Sequence, residues 1–203
     1  MLLTSKKLEL QIDDFLSYIE QGEIPPCPPE QLPFEKYYKL DPRRYCIERG
    51  MWAIVDKQWT KKLSKWVGKR TVLEIMAGAG WLSKALSEHG TSITATDDYS
   101  WDIETHTKMK RVYPVINMNS LEAIATFQCD ILLCSWPPYA DDSMYRSAKL
   151  WGNKKPIILI SEGCGGCNAT YEFFEGFERK KTINIPQWWG LHDYVQIGYW
   201  KGK

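Results

Sequence analysis

No stretch of about eighteen apolar residues occurs in this 203-residue chain, so a bilayer-spanning helix is not expected. The opening MLLTSKKLEL has no long apolar segment ahead of a small-residue cleavage site, which argues against a secretory leader and for a cytoplasmic protein. An excess of charge of one sign is also missing: 26 Lys and Arg stand against 25 Asp and Glu. A nucleic acid would therefore need a local patch, and net charge does not favour it as a partner. Cysteine is too dispersed for a disulfide framework, at positions 27, 46, 129, 134, 164 and 167, and this spread suits a reducing compartment. Only Cys164 and Cys167 are close. Histidine occurs three times, and His89 and His106 fall on expected helices as surface residues. No repeat or low-complexity tract is present. What remains, 44% hydrophobic, suffices for one sizeable core, or one domain with an appendage.

Two regimes meet near Gly68. Over residues 1–68 helical spacing dominates, giving an N-terminal helical extension expected to help cap the cleft, and residues 69–203 form the α/β domain. Leu8, Leu10, Ile12, Phe15, Leu16 and Ile19 make one apolar helix side, which the prolines of GEIPPCPPEQLP must stop. Trp52, Val55, Trp59, Leu63 and Trp66 recur every three or four residues, which predicts one face of a long helix packed on the following domain, with a base-stacking surface as the alternative. Tyr37, Tyr38 and Tyr45 either belong to a lid over the site or pack these helices together.

From residue 71 strand and helix alternate, the pattern of a parallel sheet with crossover helices. Seven strands are expected in TVLEIMAG, SITATDD, PVINM, CDILLCSW, KPIILISEG, KKTINIP and YVQIGYW, with helices from Leu82 and around 102–111, 120–127, 142–151 and 170–177. The last two strands leave no room for a helix between them, so an antiparallel hairpin closes one edge. Gly78 and Gly80 sit where the first strand gives way to a helix, and glycine there permits a tight turn and close backbone approach to a ligand. Glu74 lies inside that strand, and Asp97 ends the next, where a carboxylate can accept both hydroxyls of a ribose. A nucleoside ligand follows from that placement. GAGWLS with its distant acid also fits a nicotinamide dehydrogenase.

Over roughly residues 70–200 the sequence resembles the class I S-adenosylmethionine-dependent methyltransferases, whose first motif EIMAGAG matches in the form found in many nucleic-acid enzymes. The resemblance implies a Rossmann-like fold and S-adenosylmethionine as cofactor. It places Met76, Ala77, Gly78 and Gly80 against the methionine part, with Glu74 ordering that loop or holding the amino group. Asp97 becomes the ribose-binding acid, with Asp98 in competition, and Asn119 and Ser120 of NMNSLEAI fall near the adenine. CDILLCSWPPYAD resembles the motif [DNS]-P-P-[YFW] of methyltransferases that modify amino or amide nitrogens. Prolines remove backbone donors, so carbonyls near Pro137 stay free to accept a substrate N–H while Tyr139 stacks on a planar target. Trp136 stands where the family has a polar residue and Ser135 comes one position early; an indole N–H only donates, so the usual side-chain acceptor is missing.

Three further clusters lie on the expected cleft. Glu162 ends the fifth strand and either positions or deprotonates an amine, or is an exposed loop acid. Cys164-Gly-Gly-Cys167 is a glycine-rich loop, a redox pair or half of a zinc site; with no second pair, no metal is expected. IPQWWGLHDY brings Trp188, Trp189, His192 and Asp193 together as a substrate wall, with His192 a base by type. The sequence therefore reads as a methyltransferase acting on a nitrogen of a small molecule, peptide or nucleotide. The alternatives are a nucleic-acid amino methyltransferase and a non-catalytic binding protein of the same fold, and the methyl acceptor and oligomeric state stay open.

Overall fold

A computed structural model describes residues 5–28, 34–100 and 109–202. Four helices come first: α1 (Ser5–Gln21), α2 (Phe34–Leu40), α3 (Pro42–Ile47) and α4 (Lys57–Val67). The sheet follows as β1 (Val72–Glu74), β2 (Ile93–Asp97), β3 (Val115–Asn117), β4 (Ile131–Ser135) and β5 (Ile157–Ser161), then β6 (Phe177–Asn184) and β7 (Tyr194–Trp200). Between strands run α5 (Trp81–Glu88), α6 (Ser120–Thr126), α7 (Ser143–Trp151) and α8 (Tyr171–Gly176). The order across the sheet is β3-β2-β1-β4-β5-β7-β6, parallel up to β5, with β7 antiparallel to both β5 and β6. This is the Rossmann-like fold of class I methyltransferases, closed by the expected hairpin.

Burial explains the strand sequences. β1, β4 and β5 are covered on both faces, so VLE, ILLCS and IILIS are almost uninterruptedly apolar. One face carries Val72, Ile131, Leu133, Ile158 and Val195 against α4, α5 and the N-terminal residues Ile12, Phe15, Ile19 and Ile24. The other packs Leu73, Leu132 and Leu159 against Ala123, Met144, Ala148 and Phe173 of α6 to α8. The N-terminal residues thus share one core with the sheet.

Four element expectations need correction. The tryptophan stripe does not lie on one helix: Asp56, in extended conformation, accepts the Gln58 and Trp59 N–H groups and starts α4 there. Trp52 and Val55 precede that cap in non-helical chain, while Trp59 and Leu63 remain on the buried face. Of the helix expected at 102–111, residues 102–108 lie outside the described residues and 109–111 are not helical. β1 stops at Glu74 because Met76 takes a left-handed φ of 55°. β6 starts at Phe177, directly after α8, with an irregularity between Arg179 and Lys181. The side chains of Leu8 and Leu10 lie outside the described residues.

Candidate active site

Between β1 and α5 the chain turns through three left-handed residues, Met76 (φ 55°), Gly78 (φ 55°) and Gly80 (φ 83°). Gly80 is required sterically as well, since a Cβ there would stand 2.8 Å from the Tyr113 Cβ. The turn is clasped from the neighbouring strand. The Gly78 N–H donates to Asp97 Oδ2 at 2.7 Å, and the Tyr99 N–H donates to Asp97 Oδ1 at 2.6 Å.

The turn opens on a cavity of about 640 Å³. Ala77, Gly78, Glu74 and Asp97 line one side, the segment Gly50–Val55 faces it with Trp52, and Ser135 to Tyr139 with Glu162 complete the wall. Trp81, 3% exposed, also lines it and is fixed by its indole N–H donating to the Arg49 carbonyl at 2.8 Å.

Glu74 is buried and accepts a short hydrogen bond from the Ser83 hydroxyl of α5. Burial, with a smaller push from the Asp97 charge, raises its pKa from 4.5 to about 8 against the opposing Ser83 bonds. At neutral pH Glu74 is a neutral acid beside Asp97. Because the folded state holds this proton more tightly than the unfolded chain, its contribution to stability is complete below the unfolded value and is lost as pH rises through about 8. Denaturant unfolding at pH 6 and pH 9 is expected to show a loss about 3 kcal/mol larger in the native protein than in Glu74→Gln. An identical pH dependence in both would contradict the assigned protonation.

At the end of β4, Trp136 adopts a left-handed φ of 53°, donates its backbone N–H to the Ile160 carbonyl at 2.9 Å, and stacks on Trp52 with centroids 5.8 Å apart. Tyr139 stands at the mouth, 62% exposed. The Pro137 carbonyl accepts the Ala169 N–H at 3.3 Å, which corrects the expectation that it stays free: the loop after β5 folds back onto the Pro-Pro turn. Glu162 lines the cavity, and its Oε1 accepts the His192 backbone N–H at 3.3 Å. The His192 side chain is exposed and is not part of the cavity wall. Trp188 is buried with its indole N–H on the Trp52 carbonyl at 2.9 Å, and Trp189 is 40% exposed. Asp193 is fully buried, its pKa raised to about 7 by burial. The Trp136 indole faces it and opposes that rise, yet neither the indole N–H nor either carboxylate oxygen completes a hydrogen bond of ordinary geometry.

Other expected residues lie apart from the cavity. Asp98 is exposed and accepts from Ser100, Asn119 caps α6 by accepting the Glu122 N–H, and Ser120 accepts from the Ser147 hydroxyl. Tyr37, Tyr38 and Tyr45 are likewise absent from the wall; Tyr45 donates to Glu20 and lies under the Arg49 guanidinium. His89 is only partly exposed, with Nε2 3.2 Å from the Thr60 hydroxyl, and His106 lies outside the described residues. Cys164 and Cys167 are both exposed, and Cys167 reaches the cavity. Among the described residues no group of three His, Cys, Asp or Glu is arranged to hold a metal ion. Sequence reasoning did not assign Arg43, Gly50, Met51, Trp52, Ala53 and Val55 to the wall, nor Trp81 and Tyr99.

No protein-family model and no curated protein matches the chain. Solved structures match it in fold. MtNAS, in its complex with MTA and tNA, aligns over 96% of this chain and 71% of its own, with a TM-score of 0.50 and 12% identity. Human N-acetylserotonin methyltransferase in complex with SAM aligns over 96% and 68%, with a TM-score of 0.47 and 14% identity. TehB from Haemophilus influenzae aligns over 78% and 67%, with a TM-score of 0.47 and 11% identity. The chain has a class I methyltransferase-like fold.

Proposed function

We propose that this protein is an S-adenosylmethionine-dependent methyltransferase that modifies a nitrogen of a small molecule, peptide or nucleotide. The observation that carries the proposal is the clasp of Asp97 on the Gly78 amide, set at the mouth of the cavity with the neutral acid Glu74 beside it. The donor set fits the cofactor. Tyr99, which lines the cavity two residues beyond Asp97, has a buried hydroxyl without a hydrogen-bond partner, suited to a ribose or adenine edge. Asp97 would take the ribose hydroxyls, the turn from Ala77 to Gly80 the methionine part, and Glu74 the amino group. When bound, the cofactor supplies a methyl group already activated by its sulfonium charge. The chain's task is then alignment and exclusion of water. Trp52, Trp81 and Trp136 supply apolar cover, and Glu162 orients the acceptor nitrogen and takes its proton. A cytoplasmic location is part of the proposal, supported by the dispersed cysteines.

A non-catalytic binding protein is the second reading, favoured by Trp136 in the polar motif position and by the engaged Pro137 carbonyl. Calorimetric titration with S-adenosylmethionine and S-adenosylhomocysteine separates the two. One-site binding with release of close to one proton at pH 7 is expected, because an ammonium group ionises Glu74. Failure of the folded protein to bind either compound overturns the proposal. Transfer of a labelled methyl group into RNA or DNA, rather than metabolite or peptide pools, would select the nucleic-acid alternative.

A further inference from the structure

Across the sheet order β2-β1-β4-β5, Asp97 and Glu162 end strands three spacings apart, roughly 14 Å. The glycine turn and Asp97 occupy the β2 and β1 side of the cavity, which leaves the side over β4 and β5 for a second molecule. That half is built differently. Trp136 and Trp52 are stacked with an interplanar angle of 28°, and Tyr139 projects at the mouth. Flat aromatic surface is therefore offered where Glu162 presents a carboxylate.

Behind this wall, polar groups stand buried without hydrogen-bond partners: both carboxylate oxygens of Asp193, which is 0% exposed, the Trp136 Nε1 and the Arg43 Nε. Asp193 is not part of the cavity wall and is met from within by the Trp136 indole and the Arg43 guanidinium, so it acts on the cavity only through its field. Asp193 feels the charges of Glu162 and of the Arg43 guanidinium, and both of those residues line the cavity. With Asp193 held partly protonated by burial, Glu162 is the carboxylate presented to the cavity, and it disfavours an anion. It attracts a cation, and the aromatic faces add cation–π attraction.

Resting on the methyltransferase reading, we infer that the β4–β5 half of the cavity is an acceptor subsite for a planar, positively charged nitrogen base. A flat amidine or protonated heteroaromatic ring would lie against the tryptophan and tyrosine faces with its N–H groups directed to Glu162. Asp193 adds negative field from behind Trp136. In this arrangement the acid missing at position 136 is restored in space from the loop after β5.

Three isosteric probes that differ only in charge decide it: benzamidine, benzamide and benzoate, titrated by ligand-observed NMR into protein first saturated with S-adenosylhomocysteine. Benzamidine is expected to bind at least ten-fold more tightly than benzamide, with benzoate not binding. Glu162→Gln should weaken benzamidine about ten-fold and Tyr139→Ala several-fold, while both variants keep the melting temperature and the S-adenosylhomocysteine affinity. Equal binding of the three probes, preference for benzoate, or insensitivity to Glu162→Gln would overturn the subsite. Absence of S-adenosylhomocysteine binding would instead remove the cofactor reading, and the same probe series on the unliganded protein would still decide the charge preference.

Discussion

Asp97→Ala is expected to weaken S-adenosylhomocysteine binding by about 100-fold or more, a loss of about 2.7 kcal/mol. The carboxylate accepts both the Gly78 N–H and the Tyr99 N–H, and bonds to a charged acceptor contribute about 1.5–3 kcal/mol each. Its removal frees a turn that holds three left-handed residues and takes away the ribose acceptor together. Part of the cost appears as lower stability and part as lost affinity, so calorimetry and thermal melting belong in one experiment. Asp98→Ala is the control: that side chain is exposed and bonded to Ser100, and affinity should stay within two-fold. Unchanged affinity in Asp97→Ala would remove the residue from the site.

Gly198→Ala should be still more damaging to the fold. A Cβ at this position would lie 2.3 Å from the Glu178 carbonyl oxygen and 2.9 Å from Phe177 Cε2 on the adjacent strand. The first obstacle is backbone, which has no rotamer to escape into, so β6 and β7 must separate or slip. Overpacking costs about 1–3 kcal/mol where side chains can adjust. Here about 3 kcal/mol or more is expected, a fall in melting temperature of roughly 10 °C in a chain of this size. Function suffers too, because β7 pairs along β5, whose end delivers Glu162, and β7 begins directly after Asp193. Gly90→Ala, at φ 83° with nothing within 4 Å of the added Cβ, isolates backbone strain alone and should cost about 1 kcal/mol. Equal melting temperatures for the two variants would show that the hairpin accommodates the methyl.

Those sites differ in how visible they are before folding. The sheet was legible because doubly covered strands must be apolar throughout, as in ILLCS and IILIS, and because two strands without an intervening helix must pair antiparallel. The glycine turn was legible because its demands on φ are local. The wall from Gly50 to Val55 was hidden: an apolar residue every three or four positions looks the same whether it continues into a helix or precedes one. Asp56 carried the local signal, a capping acid that splits the stripe between Val55 and Trp59. Asn119 with Glu122 three residues on likewise announced a helix start. No local signal foretold the bond from the Ala169 N–H to the Pro137 carbonyl, or the approach of Asp193 to Trp136, since both join segments distant in sequence.

The bond from the Trp188 indole to the Trp52 carbonyl spans 136 positions. During synthesis, at about 5–20 residues per second, the segment that carries Trp52 emerges on the order of ten seconds before its partner exists. Met51, Ile54 and Trp59, buried in the finished protein, have no completed sheet to settle on in that interval. The nascent chain is therefore a candidate client for chaperones that shield apolar segments, and the cavity takes shape only once the distant segments that wall it have all been made. A growing chain gains a ligand-ready pocket only after β7 clears the ribosome.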